Sequence, residues 1–393
     1  MKMISTVGCI NCYKSNTVNP MNSPDTVYEL YSVPSYDSEY PEILKGSEIG
    51  SSKIIVEEND ILICKINPRI NRVWVVKHNT DYPLLASSEW IVVRSPKNNP
   101  DYLKWYFRSP FFQRLMVSQV AGIGGSLTRA QPKQVATYPV PLVSSDYQAK
   151  IAELLDRVDR FIQIRRQQLQ KLDELVKARF VEMFGDPCNN PMGHIKMTVK
   201  DAVDVGYIER PLDGNHGEKH PKVSEYVDDG VPFIMANNIV NGLVDYDNCS
   251  KITRERADKL DKGFSHDGDV LITHKGTIGR TAIVHTKLDY IILTPQVTYY
   301  RPLKGIISEY LKGYFDTDFF QGEMKKLAAA GGSTRAYVGI TNQTQLQFVI
   351  PSLDLQTQYA EFVDQVDKSK LSIQASLDQL ETLKQSLMQK YFG

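Results

Sequence analysis

Gln148-Ala149-Lys150-Ile151-Ala152-Glu153-Leu154-Leu155-Asp156-Arg157-Val158-Asp159 and Gln356-Thr357-Gln358-Tyr359-Ala360-Glu361-Phe362-Val363-Asp364-Gln365-Val366-Asp367 are one segment written twice, at an offset of 208. The offset holds through Leu169/Leu377, Leu172/Leu380 and Leu175/Leu383, and ends at Phe184-Gly185 against Phe392-Gly393. Upstream the match continues with small gaps. Tyr102-Leu103-Lys104 and Phe111-Phe112-Gln113 face Tyr310-Leu311-Lys312 and Phe319-Phe320-Gln321. Gly124-Gly125-Ser126-Leu127-Thr128-Arg129-Ala130 faces Gly331-Gly332-Ser333-Thr334-Arg335-Ala336, and Asn59-Asp60-Ile61-Leu62-Ile63 faces Gly268-Asp269-Val270-Leu271-Ile272. Beyond these the halves diverge. The chain is therefore an internal duplication, with a variable domain and a shared tail in each half. A repeat of about 200 residues present twice has pseudo-twofold potential and is not a solenoid.

The shared tails read as long helices. Ser145 with Gln148 three residues later has the form of a capping box, and Gly185-Asp186-Pro187 stops the first helix. Alternate steps of four and three give Ile151, Leu155, Val158, Ile162, Arg165, Leu169, Leu172, Val176, Arg179 and Met183 in one tail. The other tail gives Tyr359, Val363, Val366, Lys370, Ile373, Leu377, Leu380, Lys384, Leu387 and Tyr391. Eight of ten are apolar in each set, and sustained 3.5-residue spacing indicates a coiled coil. Each helix could pack on its own domain. Two similar helices with narrow seams more economically pack on each other, and an antiparallel pair would put the variable domains at opposite ends of a rod.

The expected fold class is α+β: two mixed α/β variable domains joined by two long antiparallel coiled-coil helices, with an internal pseudo-twofold duplication. The expected boundaries are 1–144 for the first domain, 145–185 for the central helix, 186–353 for the second domain and 354–393 for the C-terminal helix. Within the domains, 60–66, 73–77 and 90–94 read as strands, as do 270–274, 281–285 and 297–300. Pro100 opens a helix running to about Val120, matched by one from near Ser308 to about Ala329.

The 393 residues, 42% apolar, are enough for two packed cores and exclude wholesale disorder. No apolar run approaches the 18 residues of a membrane span, and Met1–Val7 does not read as a signal peptide. Five cysteines do not make a disulfide scaffold, which points to reduced thiols and a cytoplasmic protein. The formal net charge is zero, so no global positive field announces a nucleic-acid partner. Its distribution is uneven: Lys and Arg number 4 against 9 acidic residues over 1–60, then 11 against 3 over 61–145. The second half repeats the swing, 10 against 16 over 185–269 and 9 against 5 over 270–353.

No phosphate loop of the Gly-x-x-x-x-Gly-Lys-Ser/Thr type and no Gly-x-Gly-x-x-Gly fingerprint is present. Asn99-Pro100-Asp101-Tyr102 is better read as a helix start than as a methyltransferase motif. The lone pair Cys9/Cys12 and the pair His216/His220 lack the remaining ligands of a zinc site, so no metal is expected. Two other features repeat. One is the Gly-Gly loop with Ser126, Thr128 and Arg129, or Ser333, Thr334 and Arg335, whose hydroxyls and cation suit phosphate oxygens. It is equally a tight turn whose Arg pairs with a carboxylate. The other is the polar loop after the Asp-Ile/Val-Leu-Ile strand, carrying Lys65, Asn67, Arg69 and Arg72 in one half and His274, Lys275, Thr277 and Arg280 in the other. Lys, Arg and Asn read guanine and adenine edges, although a solvated surface loop has the same composition. Asn237, Asn238 and Asn241 are a weaker set, since Asn is also a turn residue.

Together these residues resemble the specificity subunit of type I restriction–modification systems. The resemblance rests on the order of two variable domains and two similar helices, on Gly268-Asp269-Val270-Leu271-Ile272 with Gly276-Thr277-Ile278-Gly279-Arg280, on Gly332-Ser333-Thr334-Arg335, and on Tyr138-Pro139-Val140-Pro141-Leu142 leading to Gln148. Asn67-Pro68 in the first polar loop departs from the Gly-containing pattern. The resemblance implies a non-catalytic subunit that reads a bipartite target on double-stranded DNA, one half-site per domain. Its helices would set the spacer and dock two methyltransferase subunits, which would carry the S-adenosylmethionine, and restriction subunits would join them. No cofactor is expected on this chain. A coiled-coil scaffold without DNA readout, and an enzyme with an unrecognised site, are the alternatives.

Overall fold

The computed structural model describes residues 3–118, 120–121, 128–330 and 336–393. The chain divides into two compact units: Met1–Arg166 with Ala375–Gly393, and Gln167–Gln374. The divisions fall inside the two long helices, not at their ends, because each unit contains a stretch of both helices and packs them against its own core.

In the first unit a five-stranded sheet has the order Thr17–Val18, Lys53–Ile55, Leu84–Ala86, Val27–Tyr31, Glu42–Lys45. A three-stranded sheet has Ile61–Cys64 between Val73–Val75 and Trp90–Val93. Val27–Tyr31 pairs with Leu84–Ala86 in parallel, and the other pairings in these two sheets are antiparallel. The second unit repeats the plan. Its five-stranded sheet pairs Val231–Ile234 with Ile291–Leu293 in parallel, and Val270–Lys275 lies between Thr277–Ile283 and Val297–Tyr300 in a four-stranded sheet. β-Branched and aromatic residues fill these strands because they suit a pleated surface buried on one or both faces.

The turn before the repeated strand needs a left-handed residue, and the halves meet that need differently: Asn59 has φ 70° and Gly268 φ 82°. The Asp that follows is buried and clamped by an arginine just past the end of a neighbouring strand. Arg94 Nε and Nη2 each lie 2.8 Å from the Asp60 carboxylate oxygens, and Arg301 holds Asp269 at 2.8 and 2.9 Å. Hydrogen bonding to Asp60 keeps the Arg94 guanidinium above its already high ordinary range.

The single helix expected over 100–120 is two: Pro100–Phe107 and Pro110–Ser118. Its counterpart is also two, Ser308–Phe315 and Asp318–Ala330, although no proline interrupts it. The shared cause is a hydroxyl cap. Ser109 Oγ accepts from Phe112 N at 3.2 Å, and Thr317 Oγ1 from Phe320 N at 3.3 Å, so each restarts the helix in a new direction. Tyr102, Tyr106, Phe107 and Phe112 are buried in the first core, and Tyr310, Tyr314, Phe315 and Phe320 in the second. Each such ring contributes about 1.5–3 kcal/mol of burial.

The long helices span Ser145–Phe184 and Leu353–Phe392, 40 residues each. All twenty positions of the 3.5-residue series are buried or half-buried, while off-series Phe161, Leu175 and Leu371 are exposed. Within the first unit the stretches run antiparallel. Asp159 pairs with Lys384 and, seven residues on, Arg166 with Glu381 at 2.7 Å; Ile151 and Leu155 share a core with Met388 and Phe392. Within the second unit Asp173 takes Lys370 at 2.7 Å, and the Arg179 guanidinium sits 5.7 Å from the Phe362 ring centre. The non-apolar members of the series thus make cross-helix contacts: burial alone would lower the Lys370 pKa, but Asp173 and Asp367 hold it above its ordinary value. Gln148 does not form the expected capping box. Its buried side chain instead accepts from Asn99 N and donates to Val143 O, just before the helix. Among the described residues no helix is long and apolar enough to cross a membrane.

Candidate nucleic-acid interface

The two features that repeat in sequence are neighbours in each unit. In the first, Asn67 N donates to Thr128 O and Ala130 N to Lys65 O, both at 2.8 Å, so Ile66 and Arg129 form an antiparallel bridge. In the second, Gly276 N donates to Ala336 O and Val338 N to His274 O, both at 2.9 Å, bridging Lys275 and Tyr337. A repeated glutamine ties the polar segment to the helix above it. Gln113 Nε2 donates to Pro68 O, and Gln321 Nε2 to Gly279 O at 2.9 Å.

The polar segments have different local structure. Residues 65–72 form a loop in which Asn67 takes φ 46°. Residues 274–280, expected as a loop, are the turn and arms of a β-hairpin, with His274 facing Ile278 and Lys275 facing Thr277. Gly276 at φ 78° makes the tip, and Thr277-Ile278 then continues the β-branched run, the local pattern that identifies the hairpin. Gly279 is fixed for a second reason: at φ 86° a Cβ there would meet the Gln321 amide at 2.0 Å.

Arg69, Lys275, Thr277 and Arg280 are exposed, with Lys65 and Asn67 half-buried at the same surface. The Lys275 ammonium lies 6.0 Å from the Tyr337 ring centre, and Arg280 Nη1 donates to Ile239 O at 3.3 Å. Arg129 is exposed and pairs with Glu89 at 3.0 Å, the carboxylate pairing that its turn-like context allowed. Arg72 is half-buried with Nε unpartnered. Thr128 is buried. Ser126, Ser333, Thr334 and Arg335 lie outside the described residues. His274 is corrected: its side chain is fully buried, its Nδ1 lies 3.0 Å from Val338 O, and burial lowers its pKa, so it supports the hairpin and offers no ring to a groove. Asn238 is likewise internal, accepting from Met235 N and donating to Asn248 O.

His216 lies 2.8 Å from Asp213, and the His220 ring packs against Phe233. Among the described residues no group of three or more His, Cys, Asp or Glu could hold a metal ion. Lys262 and His216 keep Asp213 ionised below its ordinary pKa, although burial alone would raise it. Glu89, beside Arg129, and Gln296, whose carbonyl accepts from His274 N at 3.0 Å, escaped the sequence reading. Neither belongs to a repeated motif; only the pairing of strands brings them to the site.

A chain with two α+β units on the same plan, each offering exposed cations on hydrogen-bonded loops and each packed on a stretch of long helix, belongs to the class of duplicated recognition proteins. Its family is the type I restriction modification DNA specificity domain family, which it matches over residues 8–174 and again over 204–382. The chain is similar to the type I restriction enzyme MjaVIII specificity subunit of Methanocaldococcus jannaschii, 21% identical over 354 residues, 88% of this chain and 80% of that one. Two solved structures share the fold. The S subunit of a type I restriction–modification system from M. genitalium superposes with a TM-score of 0.58 at 12% identity, covering 100% of this chain and 96% of that one. A chain solved in work on complex assembly and conformational transition of the type I R-M system gives 0.56 at 17% identity, covering 100% and 97%.

Proposed function

We propose that this chain reads a bipartite site on double-stranded DNA, one half-site per unit. The carrying observation is the hydrogen-bonded junction, in both units, of the polar segment with the arginine-bearing loop, which gathers Lys65, Arg69 and Arg129 on one unit and Lys275, Thr277 and Arg280 on the other. Cations on phosphates position a protein, and Lys, Arg and hydroxyl groups at base edges specify a sequence. The long helices, antiparallel and related by a near-twofold axis, set the gap between half-sites and dock two methyltransferase subunits, with restriction subunits joining the assembly. The chain itself is non-catalytic. S-adenosylmethionine sits on the partners, which also supply most of the phosphate neutralisation that a chain of zero net charge lacks.

The test is the adenine methylation pattern of cells with and without the gene, with binding of the recovered sequence by the complex assembled with its methyltransferase subunits. A bipartite motif lost with the gene is expected. No motif, and no sequence-selective retardation by the complex, would leave a scaffold. Methylation by the purified chain alone would make it an enzyme.

A further inference from the structure

One turn is built identically in both units and carries a different side chain in each. In the first unit it follows Leu84–Ala86: Ser87 N donates to Tyr31 O at 3.0 Å, Trp90 N to Ser87 O at 3.2 Å, and Lys65 N to Glu89 O at 3.0 Å. In the second it follows Ile291–Leu293: Thr294 N donates to Ile234 O at 2.9 Å, Val297 N to Thr294 O at 3.1 Å, and His274 N to Gln296 O at 3.0 Å. By these bonds Glu89 and Gln296 occupy equivalent places, each in a turn whose backbone carbonyl accepts from the first residue of the polar segment. Each also lines a cavity at the equivalent place. One, of about 440 Å³, has Glu89 with Ser87 and Ile66; the other, of about 330 Å³, has Gln296 with Thr294 and Lys275.

The two side chains hold hydrogen-bonding capacity that the protein does not use. Glu89 Oε1 accepts from Arg129, but Oε2 is buried without a partner. Gln296 is exposed, its Oε1 has only a 3.4 Å contact with Ala236 N, and the Thr294 hydroxyl beside it is buried and unpartnered. Buried polar atoms are normally satisfied, so unpaired ones beside exposed cations point to an absent ligand. A scaffold turn needs the backbone bonds, which are the same in both units.

We infer that Glu89 and Gln296 are equivalent base-reading positions, the first selecting cytosine and the second adenine, each in its own half-site. The inference rests on the proposed DNA reading. A carboxylate only accepts, so it matches the cytosine N4 amino group, whereas beside adenine N6 the N7 lone pair repels its second oxygen. A carboxamide both accepts and donates, and matches adenine N6 and N7 together.

The experiment selects DNA from a randomised library with the complex assembled with its methyltransferase subunits, using the wild type, Glu89→Gln and Gln296→Glu. Glu89→Gln should change one position of one half-site from cytosine to adenine, with affinity for the original site down about ten- to a hundredfold. Gln296→Glu should make the converse change in the other half-site. A wild type that selects a bipartite site while both variants select the same site with equal affinity overturns this inference and leaves the DNA reading standing. So does a loss that is uniform over both half-sites. A wild type that selects no sequence overturns the DNA reading itself, and this inference with it. Thermal melts report folding, and because the variants lie in different units either one decides alone.

Discussion

Gln148 accepts the backbone N–H of Asn99 on its side-chain oxygen at 2.9 Å, and its amide nitrogen donates to Asn98 Oδ1 and Val143 O at 3.0 and 2.9 Å. Gln356 does the same job in the second unit, accepting from Ile307 N at 2.9 Å and donating to Gly305 O and Pro351 O at 3.0 Å. Each glutamine thus fastens the start of a long helix to the start of the aromatic helix beside it. Removing either side chain strands buried backbone groups, each costing about 1–3 kcal/mol. Gln148→Ala and Gln356→Ala should each lower stability by about 2–4 kcal/mol, measured by urea unfolding. A loss under about 0.5 kcal/mol, the level of an ordinary surface change, would show that the clamp does not matter.

Those glutamines show what the sequence carried and what it did not. Both stand out in the repeat, yet spacing alone made Gln148 a helix cap, because a capping box and a buried clamp share the Ser-x-x-Gln pattern. The 3.5-residue series was fully legible, since helical periodicity is local and every position on it is sheltered. The break after Arg108 was written in Ser109-Pro110; its counterpart after Asp316 was less plain, because only the hydroxyl of Thr317 marks it and no proline does. At the site, Lys275, Thr277 and Arg280 could be found as polar residues after a repeated strand. The burial of His274 could not, because it depends on Val338, 64 positions away. Glu89 and Gln296 were invisible for the same reason: their equivalence lies in backbone pairings.

Arg129 should behave as a phosphate contact. Arg129→Ala is expected to weaken DNA binding by the assembled complex evenly across sequences and to reduce the salt slope by about one. Part of its charge is already countered by Glu89, but both side chains are surface-accessible and the pair is worth about 0–1 kcal/mol, so DNA can displace it. Lys275→Ala or Arg280→Ala should instead alter preference in one half-site only. Binding measured between low and moderate salt on the preferred and a scrambled site separates the two. If Arg129→Ala relaxed a single base position and left the salt slope intact, the roles would be reversed.

Buried His274 makes the second unit sensitive to acid. Burial holds its folded pKa below the ordinary value, against partial support from the Val338 carbonyl. A base whose folded pKa is depressed binds fewer protons folded than unfolded. Its contribution is therefore complete above the unfolded pKa of about 6.5 and is lost as the pH falls below that value. Wild-type protein should lose more melting temperature between pH 7.5 and 5.5 than His274→Gln, which keeps a donor for Val338 but does not titrate. Parallel pH profiles for the two proteins would show that His274 does not carry the effect.

The long helices should act as a ruler. The 3.5-residue seam advances by steps of four and three, so four added residues between Arg166 and Gln167, where the two compact units divide, make an extra step that the seam absorbs as a local change of winding. They lengthen the helix by roughly 6 Å. Duplex DNA rises about 3.4 Å per base pair. If the helices hold the recognition units apart, the unspecified gap between half-sites should grow by about one or two base pairs, and both half-site sequences should stay as they were. One added turn also rotates the helix by only about 40°, comparable to the turn of DNA over one base pair, so each unit still faces its groove. Methylation patterns of cells carrying the insertion would read the gap directly. An unchanged gap in a stable, active variant would leave the helices as a dock for partner subunits and nothing more.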